Sequence, residues 1–215
     1  MMPLFQLNES SMTDSDESPA GRQLSAQTLH QRQSEKREQQ QDVAAPLVIA
    51  FALHTPENIG SVLRHADAAG CRRLILVDCN VGERMKKITR IARNSDSHLQ
   101  IDEMSRDELL ATCGRLPPLV AVEITSRSTD LYQTSLPEHC ALLVGGERHG
   151  IDDAVLKHCQ AAVHIPMHGI NSSMNVSHAL TLALFEWRRQ HGDQGLNCRN
   201  QSSTTFSNTS PRSRK

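Results

Sequence analysis

Aromatic residues are scarce in this chain: one Trp, one Tyr and four Phe in 215 residues. A surface on which successive bases stack needs several exposed rings, so the composition argues against a platform of the single-strand-binding type. Paired cysteines are missing too. Cys71, Cys79, Cys113, Cys140, Cys159 and Cys198 are scattered, with no C-x-x-C spacing. That pattern argues against a disulfide framework or zinc site and for reduced thiols in a cytoplasmic protein. His164 and His168 have a loose metal-like spacing without a second ligand pair, so no metal is expected. The longest nearly uncharged apolar run, residues 43–53, is too short to span a bilayer. Residues 1–7 lack the charged and apolar regions of a secretory signal. Neither sign of charge is in excess: 23 basic residues face 24 acidic ones, and the net charge identifies no partner.

What is present divides the chain into three. Residues 1–45 are rich in Gln, Ser, Glu and Arg, bury too little apolar surface to offset ordering entropy, and are expected to be a disordered polar tail. Parts of residues 23–41 suit a solvated helix. Residues 192–215, rich in Ser, Asn and Thr with a basic end, read as a second disordered tail. Between them, residues 46–191 alternate apolar runs with helical patterns. Strands are expected at 47–53, 73–77, 119–124, 141–144 and 162–165, with a short one near 99–101. Helices are expected at 57–69, 106–113, 152–159 and 175–190. This alternation indicates an α/β domain: a mostly parallel sheet with helices on both faces. Ligands of such sheets bind beyond the carboxyl ends of the strands.

Three turns at expected strand ends concentrate polar residues and glycine. The first runs from His54 to Arg64. Thr55 suits a helix cap and Pro56 its first position, while Ile59, Val62, Leu63, Ala66 and Ala69 make a buried stripe. At about 100° per residue, Arg64 projects opposite that stripe. It stands one turn above Gly60, leaving room for a phosphate or another backbone. The second turn, Gly145-Gly-Glu-Arg-His-Gly150, permits close backbone approach. Its spacing is not the dinucleotide G-x-G-x-x-G, and Glu147 would repel a pyrophosphate; a cationic or hydroxyl-bearing ligand suits it better. The third, Ile165 to Asn175, places Gly169, Asn171, Ser172, Ser173 and Asn175 before a helix whose buried face is Val176, Ala179, Leu180, Ala183, Leu184 and Trp187. Ser and Asn also favour such positions simply as caps.

Together the three turns resemble the motifs of the SpoU/TrmH family of RNA ribose 2′-O-methyltransferases, of the SPOUT class. Asn58, Gly60 and Arg64 match N-x-G-x-x-x-R. Gly145, Glu147 and Gly150 match G-x-E-x-x-G. Ile165, Pro166, Met167, Gly169, Ser173, Asn175, Val176 and Ser177 match I-P-M-x-G-x-x-x-S-L-N-V-S. Gly146 stands where many members carry Asn, and Met174 where Leu is usual. The resemblance covers roughly residues 46–190.

The resemblance implies a C-terminal deep trefoil knot, a homodimer and S-adenosylmethionine as methyl donor. It implies cofactor contacts from Val144, Gly145, Gly146, Ile165, Met167, Ser173, Met174 and Asn175, largely through backbone groups. The substrate implied is tRNA or rRNA, with Arg64 serving the partner subunit's site. Arg64, Asn58, Glu147, Ser173 and Asn175 are then the catalytic candidates. A guanidinium stays protonated near neutral pH and is a poor base. Arg64 is therefore expected to hold a phosphate and stabilise charge on the attacking oxygen, with Asn58 and Glu147 orienting it or the hydroxyl. Arg84, Lys86, Lys87, Arg90 and Arg93, the densest basic run, are candidates for phosphate contacts that position RNA without reading its sequence. Lys86, Arg90 and Arg93 would share one face of a helix. The alternatives are a non-catalytic RNA-binding assembly factor of the same fold, and a dehydrogenase disfavoured by the missing glycine fingerprint.

Overall fold

The computed structural model describes residues 23–39, 44–93 and 95–192. Most of both expected tails lies outside these residues. The chain divides into two compact units, residues 1–42 and 43–215. In the first, α1 (Ala26–Gln39) carries no apolar stripe. Its Thr28 amide donates to Ser25 Oγ at 3.1 Å, a serine cap at the helix start.

The second unit is built on β1 (Leu47–Phe51), a strand buried along its whole length. The elements that follow are α2 (Pro56–Ala68), β2 (Arg73–Val77), α3 (Met85–Ala92), β3 (Gln100–Met104), α4 (Arg106–Thr112), β4 (Leu119–Val122), β5 (Thr129–Asp130), β6 (Ala141–Val144), α5 (Asp153–Leu156), β7 (Cys159–His164) and α6 (Val176–His191). The strands form one sheet in the order β3-β2-β1-β6-β4-β7-β5. Every pairing is parallel, with Ile49 beside Ile75 on one flank and Leu143 on the other.

Alternation along the strands sends side chains to opposite faces, and each face has its own core. Val48, Ala50, Leu74, Leu76, Leu142 and Val144 pack under α2, α3 and α6, where Trp187 is fully buried. Ile49, Phe51, Ile75, Ala121 and Leu143 pack under α4 and α5 with Leu109 and Val155. Helices therefore cover both faces. The carboxyl end of α6 anchors a long connection: Trp187 Nε1 donates to the Pro137 carbonyl at 3.0 Å. Gln190 donates to Thr134 and accepts from the Leu136 amide.

Several boundaries differ from expectation. The expected strand 47–53 stops at Phe51 because Ala52 turns into the left-handed region, with φ 52°. The expected helix 152–159 shrinks to four residues, since β7 starts at Cys159, which pairs with Leu119 of β4. β5 pairs by only two residues, with β7, too few to produce a sequence pattern. The basic run does form a helix, α3, whose buried Ile88 and Ala92 lie opposite Lys86 and Arg90. Arg93 leaves that face: it ends α3 in the left-handed conformation, φ 53°.

α3 also explains Gly60. A Cβ there would stand 2.7 Å from Ile91 Cβ and 2.9 Å from the Ile88 carbonyl oxygen. The room above Gly60 is thus filled by a second helix, not kept for phosphate. Gly60→Ala should lose about 1–3 kcal/mol by overpacking, outweighing the roughly 1 kcal/mol that alanine adds to helix propensity. A lowered urea midpoint would register it; an unchanged or raised midpoint would refute this packing argument.

Candidate active site

The loops that follow β1, β6 and β7 meet at the carboxyl edge of the sheet, where parallel folds place ligands. Thr55 caps α2, its Oγ1 accepting from the Asn58 amide at 3.3 Å, with Pro56 at the first helical position. That cap puts the Asn58 side chain, 8 % exposed, between the other two loops. Asn58 Nδ2 donates to Glu147 Oε1, and Thr55 Oγ1 donates to the same oxygen at 3.0 Å. From the other side, Asn175 Nδ2 donates to Asn58 Oδ1 at 2.9 Å. Asn175 Oδ1 then accepts from the Ser177 amide at 2.9 Å and the Ser177 hydroxyl at 2.7 Å. Asn175 is therefore the cap of α6 and a link to α2 at once.

Burial pushes the Glu147 carboxyl up, but the bonds from Asn58, Thr55 and backbone amides outweigh it and hold the group below its ordinary value of 4.5. A second tie joins α2 to α6. His65 Nδ1 lies 2.6 Å from Thr181 Oγ1 and 3.2 Å from the Ser177 carbonyl oxygen. Burial, opposed by that carbonyl, lowers the imidazole's pKa.

The glycines of the second loop are sterically required. A Cβ on Gly145 would stand 2.3 Å from the Gly150 carbonyl carbon, and one on Gly146 would stand 2.4 Å from the Ala52 oxygen. Gly150 adopts φ 63°, a conformation costly for other residues. The departure at Gly146 thereby acquires a cause within this chain: the left-handed Ala52 aims its carbonyl at that position. Gly169 behaves otherwise. Nothing lies within 4 Å of its missing side chain and its φ is not left-handed, so neither space nor backbone conformation requires glycine there.

Between these loops lies a cavity of about 360 Å³. Gly145, Gly146, Ile165, Met167, Ser173, Met174 and Asn175 line it, as does Glu147. Val144 does not; it is buried in β6 beneath the cavity. Arg64 also stands apart, exposed on α2 and without a hydrogen bond or ion pair to the described residues. Two members of the basic run are engaged. The Arg84 guanidinium donates to the carbonyls of His54, Cys79 and Asn80, and Lys87 pairs with Glu57 at 2.6 Å. Lys86, Arg90 and Arg93 remain exposed. Among the described residues there is no cluster fit to hold a metal, and no helix long and apolar enough to cross a membrane.

Two polar residues of the cavity wall were not among the expected site residues. His164, weighed only for its spacing to His168, closes β7 and lines the cavity, its Nδ1 3.0 Å from Ser128 Oγ. Glu123 follows β4. Its signal was a charge at the end of an apolar run, hidden because the strand was expected to continue to 124.

Comparison with known proteins agrees with this geometry. Residues 45–185 match the SpoU rRNA Methylase family. The chain belongs to that family. Among SpoU relatives, the 23S rRNA (guanosine-2′-O-)-methyltransferase RlmB of Salmonella typhi is 31% identical over 149 residues, 67% of this chain and 60% of that one. The A. aeolicus TrmH/SpoU tRNA modifying enzyme superposes with a TM-score of 0.65 at 25% identity, covering 78% of this chain and 86% of that one. The SpoU methyltransferase AviRb from Streptomyces viridochromogenes, in complex with AdoMet, gives a TM-score of 0.60 at 28% identity over 69% and 58% of the two chains. The chain spans 40% to 66% of the length of the curated SpoU relatives it matches first.

Two outcomes follow for the site. Gly146→Ala should lower stability by about 1–3 kcal/mol, because the clash is with backbone that cannot rotate away; chemical denaturation measures it. For Glu147 the folded pKa lies below the unfolded one. Its stabilisation is therefore present above about pH 4.5 and lost as pH falls through the folded value. Glu147→Gln should be less stable than the native protein at pH 7, with the gap closing below pH 4 in parallel melts. A gap that does not depend on pH would contradict it.

Proposed function

We propose that this protein is an S-adenosylmethionine-dependent RNA 2′-O-ribose methyltransferase acting on tRNA or rRNA. The observation that carries the reading is the cavity wall of glycines and backbone, closed on one side by the Glu147–Asn58–Asn175 hydrogen-bond chain. Side chains at Gly145 or Gly146 would collide with the neighbouring backbone, so this wall presents main-chain groups to whatever lies against it. Such a wall fits the cofactor, which AviRb carries as AdoMet. Bound there, S-adenosylmethionine supplies an activated methyl group.

The residues then have distinct tasks. Gly145, Gly146, Ile165 and Met167 hold the cofactor, while Ser173, Met174 and Asn175 shape its loop and the approach of the ribose. The Arg64 guanidinium binds a phosphate beside the target and stabilises negative charge as the hydroxyl loses its proton. Asn58 and Glu147 fix the loop geometry on which the approach depends. Arg64 does not line its own subunit's cavity, and we infer that it acts on the cavity of a partner copy in a homodimer. An apolar strip on the outer side of α6, Leu182 and Phe185, favours such pairing. Lys86, Arg90 and Arg93 supply further phosphate contacts.

We take residues 46–191 as the catalytic domain of a cytoplasmic enzyme. We also infer the C-terminal trefoil knot. In its favour, β7 enters the sheet between β4 and β5, two strands that precede it in the chain.

The test is transfer of labelled methyl to RNA from cells lacking the gene, followed by nuclease digestion. Label should appear as 2′-O-methylribose. Arg64→Ala should reduce turnover by about 10²–10³-fold, the usual effect of removing one charge-stabilising donor, with cofactor affinity nearly unchanged. Cofactor binding without any transfer would instead indicate a non-catalytic RNA-binding role.

A further inference from the structure

Glu123 is the cavity-wall carboxylate that the proposed mechanism leaves without a task. It stands at the end of β4, and β4 lies between β6 and β7 in the sheet. Its carboxylate is thus flanked by the Gly145–Gly150 loop on one side and the Ile165–Met167 loop on the other, and all three contribute to one cavity. Its surroundings fix its position. Oε1 accepts the Ile124 amide at 2.9 Å, and Oε2 stands 2.6 Å from where a Cβ on Gly150 would be. No cation among the described residues pairs with it. Glu123 is half-buried, and no donor among the described residues reaches its second carboxylate oxygen, so that oxygen is free to accept from a ligand in the cavity.

Resting on the proposed cofactor, we propose that Glu123 accepts hydrogen bonds from the 2′- and 3′-hydroxyls of its adenosine ribose. A vicinal diol offers two adjacent donors, and a strand-end carboxylate reads ribose hydroxyls in the same manner in dinucleotide folds. Backbone groups of the flanking loops suit the flat base on either side. A carboxylate is also the right group for a ribonucleoside in preference to its deoxy counterpart, since the missing donor leaves an acceptor unpaired.

The experiment is calorimetric titration of the full chain with S-adenosylhomocysteine and with 5′-methylthioadenosine, which keeps the ribose but lacks the amino-acid end. Glu123→Ala should weaken both ligands by the same factor, about tenfold or more for a lost charge-assisted bond. Glu123→Gln, which keeps the shape and removes the charge, should fall between. Weakening of S-adenosylhomocysteine alone would assign the carboxylate to the ammonium group and overturn the proposal. Undiminished binding of both ligands in both variants would overturn it as well. If the native protein binds neither ligand, the methyltransferase reading itself fails, and Glu123 with it.

Discussion

One hydrogen-bond chain holds together three loops that belong to different strands. Asn175 donates to Asn58, and Asn58 donates to Glu147, so the turns after β1, β6 and β7 share a single geometry. The residues at both ends of this hydrogen-bond chain have a second duty. Asn175 caps α6, Glu147 also accepts from Thr55, and Thr55 itself caps α2. Ordinary helix capping and site construction are therefore the same bonds. Mutation at any of the three residues disturbs both, and partially satisfied networks of this kind cost more than their members suggest separately.

The backbone beside that network is equally constrained. Ala52 is left-handed where β1 ends, its carbonyl points at Gly146, and Gly146 leads into the turn closed by the Gly150 amide on the Gly146 oxygen at 2.9 Å. A side chain at position 146 is compatible with this fold only if Ala52 returns to an extended conformation. The two positions are coupled, although they are 94 positions apart in the sequence; parallel pairing of β1 with β6 brings them together.

Much of this was legible in the sequence. The α/β alternation, the Thr55–Pro56 start of α2, the outward placement of Arg64 and the three polar turns all rest on local periodicity or cap chemistry, which a linear pattern records. What it left open or misread is of another kind. Gly60 marked room for a phosphate or another backbone, and that α3 supplies the backbone depends on packing between elements. The early start of β7 depends on a partner strand forty residues away. Arg84 reads as one more cation in a basic run, yet its guanidinium is spent on three carbonyls. Glu123 needed the strand order to be known before its neighbours could be. Local chemistry was readable; partnership across the sheet was not.

The order of strands also shapes the birth of the molecule. β1, β2 and β3 pair with one another in the order in which a ribosome releases them. β4 has no such companion: both of its neighbours, β6 and β7, come later in the chain. Its four residues, Leu119 to Val122, are wholly apolar and buried in the finished protein. Until residues 141–144 emerge they offer two bare edges to any strand in reach. Between the synthesis of β4 and that of β6, this apolar strand has no sheet neighbour to cover either edge.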